Sequence, residues 1–67
     1  MAKRELIEIG GLFQLQTDHM VALEISGHTD LVWFPFNTCE LHGTGHARGD
    51  VVRVTVPKKL AIEKGLA

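Results

Sequence analysis

The loop that follows residue 38 carries the side chains best suited to chemistry. Cys39, His42 and His46 have a Cys-x2-His-x3-His spacing, and His28 or His19 could supply a fourth ligand. Zinc accepts thiolate and imidazole ligands in tetrahedral geometry, and a small fold gains stability from a bound metal. The motif has only one cysteine, however, and most of its ligands come from a single glycine-rich loop. We therefore predict no cofactor and keep a zinc-stapled interaction module as the third interpretation.

The same loop offers little for catalysis. Cys39 and His42 could act as nucleophile and base, but no third group is in place to orient the pair. Ser26 is the only serine, and the glycines of the loop lack the Gly-Lys-Ser/Thr ending of a phosphate loop. A domain of this size also leaves little volume for a substrate pocket. We predict that the protein is not an enzyme.

Strands are the elements expected to position this loop. Ile7, Ile9, Phe13 and Leu15 alternate with polar residues, which places these four on one face of a first strand. Gly10-Gly11 is predicted to interrupt that strand as a bulge or a sharp bend. A second strand follows a tight turn at residues 17–19, so the two strands form a hairpin.

The second half of the chain predicts two more strands and a helix. Residues 31–36 form a strand that Pro35 closes, because proline cannot donate a ladder hydrogen bond. One helical turn is expected at residues 37–41, and alternating valines predict a further strand at residues 52–56. Pro57 suits the first turn of a short C-terminal helix, and Gly65 its C-terminal cap.

Length and cysteine content bound the class of protein. A chain of 67 residues forms one small domain, residues 1–67, that buries only about 60% of the surface of its unfolded form. A thin core favours association, so a homo-oligomer is plausible.

The single cysteine fits a reducing compartment, the N-terminus shows no signal-peptide pattern, and Leu31–Phe36 is too short to span a bilayer. We predict a cytoplasmic protein without a membrane partner.

Charge is distributed unevenly along the chain. From Glu5 to Ala47 there is no lysine or arginine, while six carboxylates lie in that stretch. The formal net charge of -1 disfavours nucleic-acid binding. The alternative function is nonetheless a small nucleic-acid-binding barrel, with Trp33 stacking on bases and the basic C-terminal segment on phosphates, through Arg53, Lys58, Lys59 and Lys64.

Three of the four aromatic residues lie together, at Trp33, Phe34 and Phe36. Successive side chains of a strand point to opposite faces, so one part of this cluster enters the core. The other part is covered by the C-terminal helix or by a second molecule. We predict that Trp33, Phe34 and Phe36 anchor a protein contact, in which the acidic middle of the chain selects a basic partner surface.

The stretch Phe34-Pro35-Phe36-Asn37-Thr38-Cys39-Glu40-Leu41 is similar to the strand and helical turn of SH3-like barrels, in which a Pro-x-Asn step leads into the last strand. The resemblance covers about eight residues and bears on shape alone. Peptide binding does not carry over, since that groove is lined with tyrosines and this chain has none. Together with the strand pattern it predicts a mainly β fold, a small SH3-like antiparallel barrel with a short C-terminal helix.

The wider layout resembles a set of small, uncharacterised bacterial and bacteriophage proteins. The matching features are Trp33, Pro35 and the closing segment Val-Pro-Lys-Lys-Leu-Ala-Ile-Glu-Lys-Gly-Leu at residues 56–66. Phe36-Asn37-Thr38 stands where that set has a Lys-Ser-Gln step. The resemblance transfers no activity, but it implies a phage or prophage origin and, for a phage protein, the cytoplasm of the host cell.

These observations favour a non-catalytic, phage-type binding module. We expect it to act through a contact with a protein of the host, and inhibition of that protein is one such action.

Overall fold

The structure, a computed structural model, describes residues 5–43 and 45–66. They form one antiparallel five-stranded sheet and one helix, with strands β1 (Leu6–Gln16), β2 (Met20–Glu24), β3 (Val32–Pro35), β4 (Glu40–Leu41) and β5 (Val51–Pro57), and helix α1 (Lys58–Glu63). The predicted mainly β class with a short C-terminal helix is confirmed. Residues 1–4, 44 and 67 of the predicted domain lie outside the described residues. In the part of the chain that is described, no helix is long and apolar enough to cross a membrane.

The long strand β1 organises the sheet, whose strand order is β3-β2-β1-β5-β4. Its first half pairs with β5 from Leu6 to Leu12, and its second half pairs with β2 from Leu12 to Gln16. One strand therefore serves two halves of the sheet, as bent strands do in small barrels. The ladders leave β3 and β4 as the two edges, so a closed SH3-like barrel remains a prediction.

The predicted bulge in β1 lies at a different place. Pairing with β5 runs without interruption through Gly10 and Gly11, so the expectation of a break there is wrong. The register shifts instead between Phe13 and Leu15, opposite β2. Gly11 has another role: a Cβ atom there would lie 2.7 Å from Cδ1 of Ile25, because the strands approach closely at this point.

The core lies on one face of the sheet, against α1. Its buried side chains come from every strand except β4, from Ile25 directly after β2, from the turn after β3, and from Ala61 of the helix. The members are Phe13, Val21, Leu23, Ile25, Val32, Phe34, Cys39, Val52, Val54, Val56 and Ala61. Full burial of one large apolar side chain contributes about 1.5–3 kcal/mol, so this single cluster accounts for most of the stability available to a small fold.

Helix α1 begins after Pro57 and ends in a glycine turn. The N–H of Gly65 donates to the carbonyl of Ile62, and the N–H of Leu66 donates to that of Ala61. Gly65 has a φ of 75°, the left-handed conformation that this ending requires, and Leu66 packs against the core. The predicted C-terminal role of Gly65 is confirmed. In place of the helical turn expected at residues 37–41, the structure has a turn at residues 36–38, in which the N–H groups of Thr38 and Cys39 donate to the carbonyl of Pro35, and β4 begins at Glu40.

Candidate functional site

An apolar row crosses the three strands β1, β2 and β3 on the face opposite the core. Ala22 pairs with Leu15 of β1 on one side and with Trp33 of β3 on the other. Ala22 is fully buried, although its side chain points away from the core residues Val21 and Leu23. Its two larger neighbours therefore cover it. A buried alanine on this outer side marks a second, smaller apolar cluster.

Further apolar residues extend this row in both directions. Leu12 pairs with Val51 of β5, Met20 pairs with Pro35, and Leu31 precedes Trp33 by two residues and so shares its side of the strand. Exposed fractions are 41% for Leu15, 37% for Leu31 and 80% for Val51. We refer to this surface as the outer apolar face, which consists of Leu12, Leu15, Met20, Ala22, Leu31, Trp33, Pro35 and Val51.

Helix α1 does not cover the outer apolar face. Its only buried residue, Ala61, belongs to the core cluster, and Leu60 and Leu66 pack against the same cluster. The ammonium of Lys64 lies 5.9 Å from the centroid of the Phe34 ring, which is also a core side chain. The helix therefore occupies the inner side of the sheet. Within residues 5–43 and 45–66, the outer face has no such layer over it.

The three predicted contact residues have different positions. Phe34 is fully buried in the core, which removes it from any contact surface. Phe36 is half-buried and packs against the core from the turn after β3. Trp33 is half-buried on the outer apolar face. The structure thus leaves Trp33 as the aromatic residue of the predicted set that a partner could reach on this face.

Sequence reasoning missed Leu15 as a surface residue. Alternation placed it on the core face with Phe13, two residues earlier. The register shift between the two residues inserts an extra position, so Leu15 turns to the outer side opposite Ala22. The local sequence gives little indication of this orientation, because the polar Gln14 and Gln16 flank Leu15 on either side of the sheet. Val51 was missed because the strand was expected to begin at residue 52.

Carboxylates surround the outer apolar face. Glu24 pairs with Leu12 within the sheet, and Asp30 lines a groove of about 330 Å³ beside Leu31 and Trp33. Asp18 lines a second groove of about 390 Å³ at the Pro35 end. Three cations approach the same region, and each has another contact. Lys64 lies beside the Phe34 ring, Nε of Arg48 donates to Oε1 of Gln14 at 3.0 Å, and Arg53, on the same side of β5 as Val51, lies 3.5 Å from a carboxylate oxygen of Glu8.

The cations proposed for nucleic-acid binding do not form one free surface. Arg53 lies 3.5 Å from a carboxylate oxygen of Glu8, and the ammonium of Lys58 lies 3.2 Å from Glu5. Lys64 is half-buried beside Phe34, and Lys59 is exposed on α1. Exposed ion pairs of this kind contribute only about 0–1 kcal/mol to stability. They nonetheless neutralise positive charge that would otherwise be available to bind a phosphate backbone.

Cys39 is an unfavourable metal ligand and nucleophile in this structure. Its side chain belongs to the core, and burial raises the pKa of the thiol. A contact of 3.7 Å with the Thr38 hydroxyl and the charge of Lys64 act in the opposite direction but do not reverse the shift. Since the thiolate is the reactive and metal-binding form, the protonated thiol favours a structural role.

The predicted histidine ligands make other contacts. Nε2 of His42 hydrogen-bonds the hydroxyl of Thr55 in β5, and Nε2 of His46 donates to the carbonyl of His42 at 2.9 Å. The His46 ring also packs on Phe13, with centroids 5.7 Å apart. His28 lies in a different place, beside Gly65. No group of three or more Cys, His, Asp or Glu residues is arranged to hold a metal in the described part of the chain.

Comparison with known proteins gives no match. No family model matches the chain, and neither a curated protein nor a solved structure does. We therefore infer the function from the geometry of the outer apolar face and the charges around it.

Proposed function

We propose that this chain is a non-catalytic binding module of phage type that holds a host protein on its outer apolar face. Trp33 and Leu15 are the central anchors, on either side of the buried Ala22. The observation that carries the proposal is the position of this row on the side of the sheet that α1 leaves uncovered. Aromatic and large aliphatic side chains in such a position are typical of interface centres.

The charge around the face supports a partner of a particular chemistry. Asp18, Glu24 and Asp30 lie at its borders, while the strands β2 and β3 contain no lysine or arginine. A partner with an apolar centre and basic residues at its rim would satisfy both features, and opposite charges would raise its rate of association. Face-to-face pairing of two copies would instead bring these carboxylates towards one another, which is repulsive. The proposed occupant of this face is therefore a different protein.

Action without catalysis follows from this mode of contact. A module of this size can inhibit a larger protein by covering the surface that the larger protein uses, and it needs no reactive group for that. The buried, protonated Cys39 and the hydrogen-bonded His42 and His46 are consistent with such a role.

The test compares three immobilised forms of the chain in capture from a bacterial lysate, followed by titration of the purified captured protein. Leu15→Lys places a charge in the centre of the face at an already exposed position, so the fold is retained. Ile62→Lys is the matched control, because Ile62 is equally large and 55% exposed but lies on α1. We expect Leu15→Lys to weaken binding by at least about tenfold and Ile62→Lys to leave it unchanged.

A third variant, Glu24→Lys, tests the chemistry of the partner. Reversal of this charge is expected to slow association with a basic-rimmed protein, and the effect should shrink as salt is added. Equal binding by all variants would contradict the proposal. Retention of single-stranded oligonucleotide that is lost in Lys58→Ala/Lys59→Ala would replace it with the nucleic-acid-binding alternative.

A further inference from the structure

Within residues 5–43 and 45–66, strand β3 is an edge of the sheet, and the side that faces away from β2 carries a short, defined set of main-chain groups. β2 and β3 pair in an antiparallel register that runs from Met20 opposite Pro35 to Leu23 opposite Val32, so the two residue numbers of each pair add up to 55. The N–H of Phe36 donates to the carbonyl of His19, which belongs to the same register. Hydrogen-bonded pairs alternate along an antiparallel ladder, so Val32 and Phe34 direct their main-chain groups towards β2. Leu31 and Trp33 consequently direct theirs outward.

The spacing of these outward main-chain groups allows β3 of one copy to pair with β3 of a second copy. If two β3 strands run antiparallel about a two-fold axis at Val32, Leu31 of one copy lies opposite Trp33 of the other, and the reverse holds as well. Leu31 and Trp33 each have an outward N–H and an outward carbonyl group, which makes eight groups in the two copies. These eight groups combine in four hydrogen bonds. Pro35, which has no N–H, falls outside this pairing and stops the ladder from slipping by two residues.

The side chains also match in this register. Leu31 and Trp33 lie on the outer side, so each tryptophan packs against the leucine of the other copy across the axis. The two outer apolar faces then become one continuous surface. Asp30 lies in the bend just before Leu31, and in this arrangement it comes close to Phe34 of the other copy.

Charge complementarity selects a second copy as the occupant of this edge. Lys64 lies over the Phe34 ring of its own chain, with its ammonium 5.9 Å from the ring centroid. Asp30 at this position therefore faces Lys64 of the other copy, and the two-fold axis gives two such ion pairs. Asp30 and Lys64 line the groove of about 330 Å³ that runs beside this edge. The other edge, β4, has only two residues and offers no comparable ladder.

We propose that two copies of this chain associate through their β3 edges, with Leu31 opposite Trp33 and Asp30 facing Lys64 across the interface. The proposal goes beyond the protein-binding function above and does not depend on it, because it stands on the register of β3 rather than on any partner. The paired segment is short, so the dimer is weak and depends on concentration.

The test is sedimentation velocity over a series from low micromolar to near-millimolar chain, with charge-reversal variants. Asp30→Lys alone and Lys64→Glu alone each produce two like-charged contacts in a homodimer, so each should self-associate at least about tenfold more weakly than wild type. An equimolar mixture of the two variants has opposite charges at both contacts and should recover the dimer. Leu6→Lys is the control, because Leu6 is exposed on β1 at the end that pairs with β5, away from β3, and this variant should dimerise as wild type does.

A second measurement keeps the inference testable if one variant folds poorly. In a mixed-isotope sample of wild type at high concentration, the Hα protons of Val32 in the two copies should show an intermolecular contact, since this pair is the close, non-hydrogen-bonded one at the axis. A wild type that stays monomeric at near-millimolar concentration would overturn the proposal. A dimer without the Val32 contact, or folded variants whose mixture does not recover the dimer, would overturn it as well.

Discussion

At the scale of single residues, Phe34 and Trp33 show how adjacent aromatic side chains take opposite roles. Phe34 is among the largest fully buried side chains of the fold, whereas Trp33 lies half-buried on the outer side. Their difference follows from strand alternation, which gives one of them to the core and the other to the surface.

Replacement of these two residues by alanine should therefore have unequal effects on stability. Phe34→Ala leaves a cavity in the core and should lower the free energy of unfolding by about 3–5 kcal/mol, enough to unfold much of a protein this small. Trp33→Ala removes contacts on the partly exposed outer side, including those with Ala22, and should cost less. Urea denaturation of the two variants measures the difference; equal losses would contradict the assignment of faces.

Cys39 gives a pH-dependent prediction. Burial raises the pKa of its thiol in the folded state above the unfolded value. The folded state then binds its proton more tightly, so this contribution to stability is present at neutral pH and is lost as the pH rises above the ordinary thiol pKa of about 8.5. Urea midpoints between pH 7 and pH 10 should fall more for wild type than for Cys39→Ala. Parallel pH profiles of the two proteins would count against a raised pKa.

At the scale of elements, the two adjacent glycines of β1 have separate roles. A Cβ at Gly11 would lie 2.7 Å from Cδ1 of Ile25 and 2.9 Å from the carbonyl oxygen of Glu24, whereas a Cβ at Gly10 would meet nothing within 4 Å. The close approach of β1 to the end of β2 thus depends on Gly11 alone.

The matched pair of substitutions separates these roles. Gly11→Ala forces a shift against main chain and should destabilise the fold by about 1–3 kcal/mol. Gly10→Ala fits its position and should change stability by less than about 1 kcal/mol, in either direction. Thermal melting of both variants under one set of conditions checks this, and a larger loss for Gly10→Ala would refute the close approach.

At the scale of the whole molecule, the chain's own pattern predicts some features well and others poorly. Alternating valines in β5 and the glycine turn after α1 are local signals, and both are confirmed. The orientation of Leu15 is not local, because it depends on a register shift that only the pairing with β2 creates. Likewise, alternation says that Trp33 and Phe34 face opposite ways, but only packing against α1 decides which side is the core.

The candidate site follows the same division. Its aromatic anchor, Trp33, and its acidic surroundings are visible in the sequence, whereas the membership of Leu12, Leu15 and Val51 requires the paired sheet. The loop at residues 39–46 is different, because its sequence suggested a site that the geometry does not support. The cysteine and histidines have the spacing of metal ligands, but their side chains have other structural partners.

We propose above all that the outer apolar face is the surface on which a protein partner is held. Trp33 is the only tryptophan, so a fluorotryptophan label at this position gives one fluorine NMR signal from that face, with none from the partner. In dilute free chain, the signal should respond to the exchange of H2O for D2O, as a partly exposed ring does. Saturation with the captured protein should shift the signal and abolish this solvent response; an unchanged signal in a fully formed complex would contradict the claim.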